Sequence, residues 1–147
     1  MGKAASNKER DPMLLNRIVI HNWKNFKEAD VKIGHRLFLI GPNASGKSNF
    51  LDIFRFIREI CMPGGGLTQA VNKKRGGVSN LRCFWARRYS DISINFFLED
   101  EANQWTYLLK FNQDNQRRPI ITEEKVSLNE DFILSRPEKE DKEDEER

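Results

Sequence analysis

The chain has 147 residues, 38% apolar and 32% charged, with a formal net charge of +3. That length fits one domain, its ten phenylalanines can supply a core, and no apolar run approaches the roughly 18 residues a transmembrane helix needs. The polar stretch from Met1 to Asp11 lacks the apolar segment of a secretory signal, and Cys61 and Cys83 have neither metal-site spacing nor the density of a disulfide framework; a cytoplasmic protein with reduced thiols is expected.

Residues 1–12 read as a flexible leader and 13–134 as the folded unit. Leu14 to Ile20, rich in β-branched residues, predicts a strand. Trp23 to Lys27 turns the chain, and Ala29 to Ile33 alternates as a second strand. Leu37-Phe38-Leu39-Ile40 is a continuous apolar run, the pattern of a strand buried on both faces.

Directly after it, Gly41 to Ser48 read G-P-N-A-S-G-K-S, which fits the phosphate-binding P-loop pattern G-x-x-x-x-G-K-[ST]. Glycines let the backbone curl until successive N–H groups point inward at phosphate oxygens. Lys47 brings a cation to the β- and γ-phosphates, and the Ser48 hydroxyl suits Mg²⁺, a hard ion that prefers oxygen ligands. Beyond the loop, Phe50, Ile53, Phe54, Ile57 and Ile60 fall on one helical face, with Asp52, Arg55 and Glu59 largely opposite. Met62-Pro63-Gly64 ends that helix. Its N-terminus points at the loop, where dipole and free N–H groups favour an anion.

Gly64 to Gly77 predicts a loop with a short helical piece around Leu67 to Val71. Between Cys61 and Ser90 lie six basic residues and no acidic one: Lys73, Lys74, Arg75, Arg82, Arg87 and Arg88, with Trp85 and Tyr89 among them. Such a stretch can meet a DNA or RNA backbone, or be a solvated loop, or carry arginines that face nucleotide phosphate or a partner subunit. Ile92 to Leu98 alternates, with Ile92, Ile94, Phe96 and Leu98 on one face; Glu99 to Gln104 is a hairpin turn, and Trp105 to Phe111 and Ile120 to Leu128 are further strands. Phe96 to Glu101 imitates a Walker B motif, an apolar run ending in Asp100-Glu101. A Walker B strand, however, is central and apolar on both faces, whereas Ser93 and Asn95 mark a half-exposed one, so the hairpin is the better reading. Residues 135–147 are almost all charged beyond Ser135, which predicts a disordered tail.

The strand pair, the turn N-W-K-N-F at Asn22 to Phe26, and G-P-N-A-S-G-K-S-N-F-L at Gly41 to Leu51 together resemble the AAA/ABC-type ATPases of the SMC/RecF/OLD-like group. The resemblance is specific from Leu14 to Ile60 and looser from Gly64 to Phe111. It implies an α/β P-loop NTPase fold, a partial ABC-ATPase-like lobe with a parallel P-loop strand–helix core and an antiparallel β-layer. It also implies binding of ATP with Mg²⁺ by Gly41, Pro42, Asn43, Ala44, Ser45, Gly46, Lys47, Ser48 and Asn49. Lys47 would be the catalytic cation, Ser48 the metal ligand, and Asn43 would lie near the γ-phosphate. Trp23 or Phe26 would pack beside the adenine or form core, and Lys24 would approach phosphate or stay solvated. The group acts in DNA repair, chromosome handling or phage defence. Ala44 stands where the group commonly has glycine. An ABC signature loop, a Walker B strand and a switch histidine are not convincingly found: His21 and His35 are misplaced for the switch, and Gln69 and Gln104 are weak candidates for a glutamine loop. The resemblance therefore reaches one lobe, expected to bind nucleotide with little turnover, and to need a second ATPase lobe or a homodimer partner. Two alternatives stay open. One is a P-loop kinase or GTPase, for which Arg87-Arg88 and Arg117-Arg118 speak while the guanine-reading N-K-x-D is absent. The other is a non-catalytic module that binds nucleic acid or a partner and keeps a vestigial P-loop.

Overall fold

A computed structural model of the chain describes residues 12–86 and 90–138. Strands β1 (Leu14–Trp23) and β2 (Phe26–Lys32) form a hairpin closed by Lys24 and Asn25, with Trp23 paired to Phe26. Helix α1 (Lys47–Cys61) follows, then a π-helical turn (Gln69–Lys73) and a short helix α2 (Val78–Leu81). Strands β3 (Ile92–Glu99), β4 (Gln104–Gln113), β5 (Pro119–Leu128) and β6 (Asp131–Arg136) complete the described chain. All six strands lie in one sheet, order β2-β1-β3-β4-β5-β6, and every neighbouring pair is antiparallel.

Period-two alternation decides what each face of that sheet does. Ile18 and Ile20 of β1, Ile94 and Phe96 of β3, and Leu109 of β4 share the inner face and are buried. Helix α1 lays Phe50, Ile53 and Phe56 onto them. Phe54, Ile57 and Ile60 are only partly buried beside that cluster. The helix thus buries a wider face than the expected stripe, because the chain from the π-helical turn to α2 covers its other flank with Ala70, Val71, Val78 and Leu81. Phe56, absent from the stripe, is fully enclosed: its ring lies 5.0 Å from Trp23 and 5.4 Å from Phe111.

Two expectations need correction. Leu37 to Ile40 belongs to no strand, and Phe38 and Ile40 are 79% and 92% exposed. A parallel strand buried on both faces needs a neighbour on each edge, and every pairing made by the six described strands is antiparallel and leaves this segment out. The described residues therefore form an α/β unit of one main helix on an antiparallel sheet, not a parallel P-loop core. The boundary at residue 135 also moves: Ser135 pairs with Lys125 and Arg136 with Glu124, so β6 runs into the segment expected to be disordered. The short helical piece expected around Leu67 to Val71 is present: helical residues run from Leu67 to Arg75, with Gln69–Lys73 in π-helical form. The leader, the rest of the tail, and Arg87, Arg88 and Tyr89 lie outside the described residues, apart from Pro12, Pro137 and Glu138.

Candidate functional site: the phosphate loop and its supports

The loop from Gly41 to Ser48 leads straight into α1, whose first helical residue is Lys47. Two residues take left-handed backbone, Ala44 at φ 64° and Gly46 at φ 99°. At Gly46 that conformation is coupled to close packing. A Cβ there would strike the side-chain amide of Asn25 and come within 3.1 Å of the Phe26 ring, so only glycine fits. The Lys47 ammonium lies over the loop, donating to the carbonyl oxygens of Gly41 and Pro42, each at 2.6 Å, and to Ser45 Oγ at 3.3 Å. Phosphate oxygens arriving in the loop would take over these three positions. Pro42, Asn43, Ser45 and Ser48 are exposed, while Asn49 is half-buried.

Three contacts hold the loop's helix to the β1–β2 turn. Trp23 Nε1 donates to the main-chain oxygen of Asn49 at 3.0 Å. Asn49 Nδ2 donates to Asn25 Oδ1 at 2.8 Å. Lys24 Nζ donates to Asp52 Oδ2 at 2.7 Å. Trp23 is fully buried and is core, so it offers no face to a base. Phe26 is half-buried against Gly46. Lys24 is neither a solvated lysine nor aimed at phosphate: it is bound to the helix.

Asp52 also receives Arg75, through Nε at 3.0 Å and through Nη2 at 2.9 Å. Arg75 reaches Glu59 through Nη1 as well, and its guanidinium lies 5.2 Å above the Phe56 ring. Burial pushes the Asp52 carboxyl up, but the bonds from Arg75 and Lys24 outweigh it and hold the group below the usual carboxylate range. Arg75 shows the reverse sign by the same logic: burial lowers it, the two carboxylates more than restore it, and it stays protonated.

The basic stretch is accordingly not one surface. The Arg75 side chain is 7% exposed and serves the helix. Arg82 donates to Asn112 across the sheet. Lys73 and Lys74 are exposed; Arg87 and Arg88 lie outside the described residues. What the sequence reading missed is the pairing of Arg75 with carboxylates 23 and 16 residues earlier. Both partners had been set on the polar side of the helix, and that was the available signal.

Asp100 and Glu101 sit in the β3–β4 turn. The Asp100 carboxylate accepts the N–H groups of Ala102 and Asn103, at 2.9 and 2.8 Å, which lowers its pKa. This end of β3 pairs with Leu14, at the opposite end of β1 from Trp23. Nine residues of strand put it about 30 Å from the hairpin turn that carries the loop's helix, so the hairpin reading holds. His21 lies half-buried on β1, and His35 is exposed before the apolar run. Gln69 donates to the oxygen of Gly64, and Gln104 begins β4.

Among the described residues no cluster of three or more His, Cys, Asp or Glu side chains could hold a metal ion. Asp52, one turn beyond Ser48, is occupied by Lys24 and Arg75. The residues present fit Mg²⁺ only in the way a P-loop does, with one exposed hydroxyl, Ser48, and the remaining ligands from phosphate and water. No helix among the described residues is long and apolar enough to cross a membrane.

A glycine-punctuated loop that opens a helix, with a lysine folded across it, is the mark of a P-loop nucleotide-binding domain of the ATPase type. A family model for the AbiEii toxin-like AAA domain, type IV TA system, matches residues 37–147. That is most of the chain, and the chain belongs to this family. No curated protein matches the chain.

Proposed function

We propose that the chain binds ATP with Mg²⁺ through Gly41 to Ser48, as the first lobe of an ATPase of the SMC/RecF/OLD-like kind, and hydrolyses it slowly on its own. One observation carries this reading: the loop enters α1 with Lys47 Nζ already at its centre, 2.6 Å from the carbonyl oxygens of Gly41 and Pro42. In the bound state the ammonium would exchange those carbonyls for β- and γ-phosphate oxygens, the first N–H groups of α1 would meet the same phosphates, and Ser48 would give one oxygen to the metal. Bound Mg²⁺ would neutralise charge on the phosphates as the terminal bond breaks.

Slow turnover follows from what stands elsewhere. Asp100-Glu101, the acidic pair that ends the Walker-B-like run, is about 30 Å from the hairpin turn beside the loop, so orientation of the attacking water falls to another lobe or partner. The exposed side chains of Phe38 and Ile40 support the same reading, since a P-loop strand is covered on both faces. A role in DNA repair, chromosome handling or phage defence belongs to that larger assembly.

The test is calorimetric titration of Mg-ATP into the folded chain and into Lys47→Ala. Micromolar binding that the substitution abolishes is expected. Absence of binding to the wild type would end the reading for this chain.

A further inference from the structure

Charge divides between the two ends of the sheet. The β3–β4 and β5–β6 turns, at one end, carry Glu99, Asp100, Glu101, Glu130 and Asp131, with no Lys or Arg from residue 99 to 109 or from 126 to 135. The connections at the other end carry Lys24, Arg82, Arg117 and Arg118, and the phosphate loop with Lys47 is held beside them. The carboxylates of Asp91 and Asp114 at that end are already engaged. Asp91 accepts Asn112 and Thr122, each at 2.8 Å, and Asp114 accepts Arg118 at 2.6 Å. Arg117 is exposed, and the Arg118 side chain is still 69% exposed. Helix α1 has no side-chain cap and no acidic residue in its first turn, so its free N–H groups favour an anion brought from elsewhere.

The chain carries such an anion within reach. Strand β6 runs toward the basic end and finishes at Arg136, level with Glu124, Leu109, Ile94 and Ile20 of the adjoining strands. Residues 138–147 then hold seven acidic side chains against three basic ones, a net of −4. Four strand spacings, about 19 Å, separate β6 from β1, whose turn grips the phosphate loop. Ten extended residues span up to roughly 33 Å. We propose that Glu138 to Arg147 lie along the basic end of their own chain, past Arg117, Arg118 and Arg82, and set a carboxylate against Lys47 and the start of α1. A carboxylate offers those donors the same charged acceptor that a phosphate does, so the segment competes with nucleotide for the loop. The competition rests on the reading of Gly41 to Ser48 as a triphosphate site; the docking does not.

Two readouts on the full chain separate docking from competition. The first follows the amide resonances of Gly41 to Ser48 and of Arg117 without nucleotide. The wild type is compared with a variant carrying Glu140→Gln, Asp141→Asn, Glu143→Gln, Asp144→Asn, Glu145→Gln and Glu146→Gln, and thermal melts show that each is folded. Both sets of resonances are expected to move in the variant, and to return when a peptide of residues 138–147 is added to it. Resonances that stay in place overturn the docking, whatever happens to affinity. The second readout is calorimetry with Mg-ATP. A segment docked about four-fifths of the time lowers apparent affinity about fivefold, so the neutralised variant should bind that much more tightly. Arg117→Glu, which loosens the docked segment, should also tighten binding. A simple field effect predicts the opposite sign, so weaker or unchanged binding in Arg117→Glu overturns the proposal. Resonances that move as expected in a chain that binds no Mg-ATP would leave the docking standing and bring down the nucleotide reading alone.

Discussion

The indole Nε1 of Trp23 donates to the main-chain oxygen of Asn49, 3.0 Å away, joining the last residue of β1 to the first turn of α1. The bond connects the sheet to the residue that follows the phosphate loop, and it explains why an aromatic at this turn is buried instead of presented to a ligand. The Trp23 ring also carries Phe56 at 5.0 Å. Trp23→Phe keeps an apolar ring but drops the donor and leaves part of the indole volume empty. A loss of about 1–3 kcal/mol in urea unfolding is expected from those two effects, with weaker Mg-ATP binding because the helix start loosens. An unchanged midpoint would show that the contact carries no stability.

Asp52 anchors Lys24 and Arg75 at once, so it links the hairpin turn, the helix and the basic segment. Its folded pKa is depressed by those partners against the opposing effect of burial. A depressed carboxylate contributes stability above its unfolded pKa, near 3.9, and loses it as pH falls through the folded value. The wild type should therefore lose part of its stability on acidification below about pH 4. Asp52→Asn should be less stable at neutral pH by about 1–3 kcal/mol and show a flatter profile across that acid window. Unfolding free energies from pH 7 down to pH 3 check both; parallel profiles would remove Asp52 from the account.

How far the sequence reached depended on the distance over which each interaction acts. The loop and α1 were legible because motif and helical period are local, and β3 with its inner face was legible from the alternation of Ile92, Ile94, Phe96 and Leu98. Phe56 was not, since its burial depends on a second covering segment that closes over the helix from residues 70–81. Arg75 read as one basic residue among six because its carboxylate partners are a helix away in the chain. At Leu37 to Ile40 the apolar run predicted a strand buried on both faces and no strand forms there, because a run of four residues carries no record of which strands would pair with it. Strand β6 escaped notice because only Phe132 and Leu134 alternate before the charged residues begin.

Ala44 is the strained point of the phosphate loop. Its φ of 64° is left-handed, a conformation that costs an L-residue with a Cβ roughly 1–2 kcal/mol. Glycine removes that strain but gives the unfolded chain more freedom, worth about 0.5–1 kcal/mol in the opposite direction. Ala44→Gly is thus expected to leave stability unchanged or raise it by up to about 1 kcal/mol, with Mg-ATP affinity retained. Ala44→Val, branched at Cβ, should lower both. Thermal melts and calorimetry on the two variants check the pair. A Val variant as stable as the wild type would mean the loop backbone differs from the one described.

Phe38 and Ile40 stand 79% and 92% exposed in a segment with no strand partner. Apolar side chains beside unpaired backbone groups form a template for another chain. At micromolar concentration the protein should sediment partly as dimers or larger species. Phe38→Asp with Ile40→Asp should return it to monomer by placing two like charges on the contact. Because neither side chain lies in the core cluster, the double variant should melt within about 0.5 kcal/mol of the wild type. Sedimentation velocity across a dilution series decides the matter. A wild type that stays a clean monomer at every concentration would mean that this segment needs no cover and would count against a missing lobe. Recovery of the monomer with an unaltered melt would identify Phe38 and Ile40 as the surface through which the chain self-associates.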